Sequence, residues 1–296
     1  MTVSPNDSPL ALPSPRPLHG LALLMAALLA FACMDASIKY LAAHYSVPLI
    51  VAIRYLVHLA LMVVVAAPIL GRQLVQTQRT RLVLVRAGCL ALMSLLVGLA
   101  LQRMPVAEVT AVTFLAPMLV VLLARPLLGE RIGWLGWTAA IAGFGGVLII
   151  VRPGTGLPMA GVVFALAAVG ANVIYQLLSR SLARTERAVA MLFYTAVAGT
   201  VAFGILLPWT LDGERPSLLA AALFVSTGAL GGLGHYLFTL AYREAPASML
   251  APLNYVQLLW AGLLGWLVFH HVPDAVTVGG MVVVAASGAL IALNAR

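Results

Sequence analysis

The stretch LQRMPVAEVTAVTFLAPMLVVLLARPLLGERI, residues 101–132, and the stretch YREAPASMLAPLNYVQLLWAGLLGWLVFHHVP, residues 242–273, are two copies of one pattern. Each ends an apolar run, at Met104-Pro105 in the first and Ala245-Pro246 in the second. Each then passes through another apolar helix and closes on a turn, Gly129-Glu130-Arg131 or His270-His271-Val272. The same offset holds elsewhere: Gly20 falls on Gly161, Lys39 on Arg180 and Ser94 on His235.

A bilayer core about 30 Å thick needs about 20 apolar residues per helix. Ten segments qualify, near residues 18–41, 48–70, 82–101, 106–125, 133–151, 158–178, 189–210, 217–240, 246–269 and 274–293. Five belong to a first repeat, residues 18–152, and five to a second, residues 158–294. An odd number of spans per copy puts the second repeat in the membrane upside down, the architecture by which secondary transporters achieve alternating access. The expected fold is an all-α integral membrane protein of ten transmembrane helices in two inverted five-helix repeats.

Composition excludes a soluble domain: 62% of the 296 residues are hydrophobic, 9% are charged, and the mean hydropathy is +1.05. The net charge of +8 sits in short loops between apolar runs, where it orients spans and does not point to nucleic acid. Cys33 and Cys89 lie inside apolar segments without metal-ligand spacing and read as packing residues. Residues 1–17, with five prolines and three serines, read as a disordered tail.

With that tail in the cytoplasm, twelve basic residues face inward: Arg16, Arg72, Arg79, Arg81, Arg86, Arg125, Arg131, Arg180, Arg184, Arg187, Arg243 and Arg296. Four face outward: Lys39, Arg103, Arg152 and Arg215. That bias places both termini of a multi-pass plasma (inner) membrane protein in the cytoplasm.

The run Pro105 to Pro117, followed by Gly129-Glu130 and the glycine-rich Gly136 to Gly146 helix, resembles the EamA-type transporters of the drug/metabolite transporter superfamily. Its partner run is Ala245-Pro246, Pro252, Gly279-Gly280 and Gly288. The likeness covers residues 18–294 and implies ten helices around a central cavity, with small metabolites, often amino acids, as substrates. The His, Tyr and Asn content of the expected cavity is similar to that of the aromatic-amino-acid exporter branch. The second copy departs from the pattern, having His270-His271 where the first has Gly129-Glu130.

Charged side chains at the bilayer centre cost at least about 2.5–3.5 kcal/mol, so those in the spans face the bundle interior. Asp35 and Lys39 share a face of the first helix, Arg54 lies about two turns into the second, and Glu108 opens the fourth. All four are expected at the outer end, either as an extracellular gate that exchanges partners or as a fixed ion-pair network. The Arg54 fork also suits a substrate carboxylate.

Deeper positions suggest a binding site. Asn172, Tyr175, His235, Asn254 and Tyr255 come from the second repeat, and Phe31, Ser94 and Phe114 from matching places in the first. Amides and His235 would hold a zwitterion's polar end while Phe31, Phe114, Tyr175 and Trp260 line the rest. The competing reading is interhelical hydrogen bonding, at about 0.6 kcal/mol each. No carboxylate is expected near the midplane, which favours movement without ion coupling over proton-coupled export of other metabolites or drugs. Pro117 and Pro252 interrupt their helices and are hinge candidates.

A polytopic membrane enzyme would show a nucleophile with its base, or a metal set, and none is spelled out. A channel would want a continuous polar lining or filter loop. The chain is therefore expected to be a carrier without cofactor or metal, acting on a small molecule from within the lipid bilayer, with a monomer as functional unit.

Overall fold

The computed structural model describes residues 17–116, 118–120, 123, 134–152, 156–182, 185–210, 216–245 and 250–294. The N-terminal tail, Pro117 and the Gly129-Glu130-Arg131 turn lie outside these. The described residues form α1 (Pro17–Leu41), α2 (Val47–Leu61), α3 (Thr80–Arg103), α4 (Val106–Thr113), α5 (Trp134–Val151), α6 (Met159–Leu182), α7 (Ala188–Gly204), α8 (Leu218–Glu244), α9 (Val256–Phe269) and α10 (Ala275–Asn294), with short helical turns between some of them. Among the described residues, five stretches are long and apolar enough to cross a membrane: Leu18–Leu41, Val47–Leu74, Thr80–Arg103, Met159–Ser179 and Leu218–Ala241. Five shorter apolar helices accompany them.

Proline marks the starts. Pro48 lies in the first turn of α2, and Pro105 directly precedes α4. Its missing N–H costs nothing in the first turn, where that donor has no intrahelical partner. Large apolar side chains such as Val64, Ile69, Ile141, Leu218 and Leu259 stay exposed on the outer faces, as lipid-facing positions require.

Contacts between helix ends fix the direction of each helix. A Cβ on Gly20, at the start of α1, would meet the Ala245 Cβ just past α8 at 2.7 Å, so these helices run antiparallel with the ends in register. A Cβ on Gly161, at the start of α6, would meet the Met104 side chain just past α3 at 2.7 Å. The repeat offset carries Gly20 to Gly161 and Met104 to Ala245, so the second contact is the first one repeated with the halves exchanged. The Lys39 Nζ at the finish of α1 donates to the carbonyls of Leu101 (3.0 Å) and Met104 (2.8 Å) at the finish of α3. The start of α6 therefore sits beside the finish of α1, at the end opposite the start of α1. Equivalent helices run in opposite directions, and the repeats are inverted.

We call the end where α1 begins the lower end and that where it finishes the upper end. The upper end also holds the pair between Glu108, at the start of α4, and His271, after α9. A second pair there joins Arg152, after α5, to Asp274, before α10, through one Arg152 Nη at 2.6 and 2.7 Å. At the lower end, the Glu186 carboxylate between α6 and α7 accepts from the backbone N–H groups of Gln78 and Arg79, capping α3 at 2.7–3.1 Å. A carboxylate there satisfies orphan donors and complements the helix dipole.

Across the pseudo-two-fold axis, α5 packs against α10, where a Cβ on Gly146 would meet the Gly280 carbonyl oxygen at 2.9 Å. Lacking side chains, these glycines let the backbones touch. Two expectations change in detail. Within the helix expected from 246 to 269, Ala251–Tyr255 form a 3-10 turn before α9 proper. The second helix passes through a π-helical turn, Met62–Ala66, before Ala67–Leu70.

Candidate functional site

Phe114 caps the C-terminal end of α4, and Tyr255 ends the 3-10 turn before α9; the repeat offset makes them equivalents. Their rings meet with centroids 4.8 Å apart, so the two-fold axis passes between them. Two adjoining cavities lie there. The smaller, about 250 Å³, reaches toward the upper end past Ile38, Val97, Val109 and Thr110. The larger, about 620 Å³, reaches toward the lower end past Arg86, Ala188, Met191 and Leu192. Phe31, Phe114, Asn172, Tyr175, His235 and Gln257 line both.

Most of the expected binding residues gather here. The His235 ring stands edge-on to Phe31 at 5.0 Å, on the crossing faces of α8 and α1. The Asn172 Oδ1 accepts from the Gln176 Nε2 at 3.2 Å, one turn along α6. Ser94 shares a 2.9 Å hydrogen bond with the buried Tyr55 hydroxyl and lines the smaller cavity. Asn254 and Tyr255 line the larger one. Trp260 does not belong with them: it packs beside Leu24, Leu28 and Leu250 and lines neither cavity. Its place in α9 turns the indole onto α1 and away from the axis.

The four expected gate residues separate into two groups. Lys39 and Glu108 are at the upper end as expected, but their strong partners are others: Lys39 holds backbone carbonyls, and Glu108 bonds the His271 Nε2 at 2.9 Å. The Lys39 ammonium also lies 5.5 Å from the Phe269 ring centroid. Glu108 is only 4% exposed, and its second oxygen has no partner among the described residues. Asp35 and Arg54, by contrast, line the smaller cavity together with Ser94, Asn172 and His235, near enough to interact electrostatically. A carboxylate therefore stands among the midplane groups, contrary to expectation. Asp35 is one turn deeper than Lys39, and α1 turns it inward. Of the hinge candidates, Pro252 lies within the 3-10 turn Ala251–Tyr255, and Pro117 is outside the described residues.

Sequence reasoning missed two residues. Arg86, assigned to the cytoplasmic loop set, lies two turns inside α3, is 5% exposed and lines the larger cavity. The signal was available, since an arginine that far into an apolar run must find polar company. His271 was read as a loop residue, but α9 ends so as to aim it inward. His270 adopts a left-handed conformation (φ 52°), with the His270 N–H bonding Trp266 O and the His271 N–H bonding Gly265 O, each at 3.0 Å. This left-handed (αL) helix ending carries His271 back to Glu108. Among the described residues, no cluster of three or more metal-ligating side chains is present.

The EamA-like transporter family model matches this sequence twice, over residues 18–152 and 159–293, the two halves that the inverted contacts define. The chain belongs to the EamA-like transporter family. A riboflavin transporter of Rhizobium johnstonii is 33% identical over 66% of this chain and 62% of its own length. An S-adenosylmethionine uptake transporter of Rickettsia bellii is 28% identical over 61% of each chain. A pseudopaline exporter of Pseudomonas aeruginosa is 29% identical over 64% of this chain and 68% of its own. The matched region spans about three-fifths of the length of the S-adenosylmethionine and riboflavin relatives. A solved crystal structure superposes with a TM-score of 0.62 at 19% identity, over 90% of this chain and 96% of that one, and so shares the fold. EamA-like proteins such as these relatives are transporters of small molecules, not enzymes, and this one is a multi-pass membrane protein.

Proposed function

We propose that this protein carries amino acids or similar small zwitterions with an aromatic or other neutral side chain across the plasma (inner) membrane by alternating access. The supporting observation is the position of the cavities, which meet on the pseudo-two-fold axis between inverted repeats, where a rocking of one half against the other would expose them to each side in turn. Asn172, Asn254 and His235 supply hydrogen bonds, while Phe31, Phe114, Tyr175 and Tyr255 supply rings for an apolar body. The relatives' names give S-adenosylmethionine, riboflavin and pseudopaline as cargo, so the choice of amino acids rests on this lining and not on them.

The positive-inside bias makes the lower end cytoplasmic, with ten spans and both termini inside. The arrangement then corresponds to a state closed outside by Lys39 and by the Glu108–His271 pair, with the larger cavity reaching toward the cytoplasm. Lys39 and Glu108 are the outer gate, and the helix interruption at Ala251–Tyr255, with Pro252, is a hinge. Each repeat supplies what a partner subunit otherwise would, so the monomer is the working unit.

Asp35 favours a second reading, since a carboxylate in the cavity beside Arg54 offers a site for a coupled proton. Uptake of labelled phenylalanine, tryptophan, threonine and methionine into proteoliposomes, with and without a pH gradient, tests both readings. Saturable uptake that falls at least about tenfold in His235→Ala and Asn254→Ala, with insertion intact, is expected. Unchanged uptake in both variants overturns the site. Stimulation by the gradient that disappears in Asp35→Asn establishes coupling.

A further inference from the structure

Arg86 is the most deeply buried cation among the described residues, 5% exposed, and every group it contacts is neutral. Its Nε donates to the Ser179 Oγ at 2.6 Å, one terminal nitrogen to the Met191 carbonyl (3.4 Å) and the Thr195 hydroxyl (3.3 Å), and the other to the Tyr175 hydroxyl at 2.8 Å. The guanidinium carbon lies 4.4 Å from the Tyr175 ring centroid. Among the described residues, no carboxylate pairs with it. A guanidinium has five N–H donors and does not lose its charge. Among the described residues, four acceptors leave at least one donor on the second terminal nitrogen uncommitted, and no counter-ion accompanies the charge. The neutral groups fix the orientation of the fork, which lies in the wall of the larger cavity.

The repeat symmetry gives this niche a counterpart. The same offset pairs Arg86 with Thr227 and Thr195 with Arg54. Arg86 on α3 reaches toward Thr195 on α7, while Arg54, the equivalent of Thr195, reaches across to α8, where a Cβ on Gly231 would lie 3.4 Å from its Nε. Both arginines thus come from the first half, Arg86 from α3 and Arg54 from α2, and occupy two-fold-related places against α7 and α8 of the second. The two differ in charge balance. Arg54 has the Asp35 carboxylate nearby in the smaller cavity, and Arg86 has none among the described residues. A buried fork without a counter-ion costs desolvation that an arriving anion repays.

We propose that Arg86 is the anchor for an anionic group of the cargo, a carboxylate or a phosphate, whose remaining body lies against Phe31, Phe114 and Phe238 in the larger cavity. The inference rests on the carrier reading and narrows it: cargo without an anionic group, whether cationic or neutral, is not held there. Arg54 offers the two-fold-related position in the smaller cavity, to which the anion passes as the halves rock.

The test uses the full-length protein purified in detergent and the thermal-unfolding midpoint as a binding readout at millimolar probe. The probes are phenylalanine, phenylacetate and phenyl phosphate, with phenylalaninamide lacking the carboxylate. The acids are expected to raise the midpoint and the amide not to. Binding of the acids should weaken about ten- to hundredfold in Arg86→Gln and less in Arg86→Lys, which keeps the charge without the fork. Phenylacetate and phenyl phosphate distinguish a carboxylate site from a phosphate site. Equal effects of phenylalanine and its amide on the wild type, no effect of any acid, or undiminished effects in Arg86→Gln overturn the proposal; the first two comparisons need no variant. Exchange of labelled phenylalanine in proteoliposomes separates the two claims. Exchange that survives in Arg86→Gln removes the anchor and leaves the carrier, whereas Arg86-dependent binding without exchange by the wild type removes the carrier and leaves the anchor.

Discussion

At the scale of single residues, Glu108 shows how strongly burial determines what a charge must do. At 4% exposure its carboxylate depends on the His271 ring, which the left-handed turn at His270 delivers. His271→Ala leaves the carboxylate buried without that partner and should lower stability by about 1–3 kcal/mol. Adding Glu108→Gln should recover part of the loss, and a double-mutant cycle of thermal midpoints measures the coupling. Asp274 behaves differently. It is exposed, and the Arg152 guanidinium, with the backbone and hydroxyl of Thr277, holds its carboxyl well below the usual carboxylate range. A depressed value means stability that is present above the unfolded value of about 3.9 and is lost as pH falls through the folded one. The midpoint difference between wild type and Asp274→Asn should therefore be constant from about pH 8 to pH 5 and narrow below about pH 4. The aromatic and amide lining was legible in the sequence because polar residues in apolar runs must face inward. Arg86 was equally legible by that rule but was counted in the charge bias, which registers residues near a span's start without asking which face they occupy. Trp260 was misplaced for the same reason, since an apolar ring fits either the axis or the packed face.

At the scale of helices, apolar length and proline placement carried most of the information. The expected span at 18–41 and the observed α1, Pro17–Leu41, differ by one residue, because the apolar run has no internal breaker. The ninth span is less regular. Pro252 sits where a helix would need its N–H, and the chain takes a 3-10 turn through Tyr255 before α9 begins. The α5–α10 contact depends on the absence of side chains, with Gly146 against the Gly280 carbonyl. Gly146→Val should cost about 1–3 kcal/mol, read as a lowered thermal midpoint, while leaving ligand affinity in the folded fraction unchanged, because neither glycine lines a cavity.

At the scale of the whole molecule, the constant offset between the two copies made the inverted repeat visible before any contact was known. The contacts supply what the offset lacked: which helices meet across the axis and which side chains join them at the upper end. Gly20 against Ala245 and Gly161 against Met104 are one contact seen from both halves, and the cavities lie where those halves face each other. The departures from symmetry are as informative. The Glu108–His271 pair falls on Met249 and Glu130 in the other copy, so the polar latch at the upper end has no sequence counterpart at the lower one. Alternating access between inverted repeats requires equivalent residues of the two halves to reach opposite sides of the membrane. His44, after α1, and its equivalent Thr185, after α6, test this directly when each is replaced by cysteine in a background lacking Cys33 and Cys89 and exposed to a membrane-impermeant maleimide. In intact cells, inverted repeats with cytoplasmic termini predict labelling of His44→Cys alone, with Thr185→Cys labelled only after permeabilisation; labelling of both from the same side would contradict the inversion.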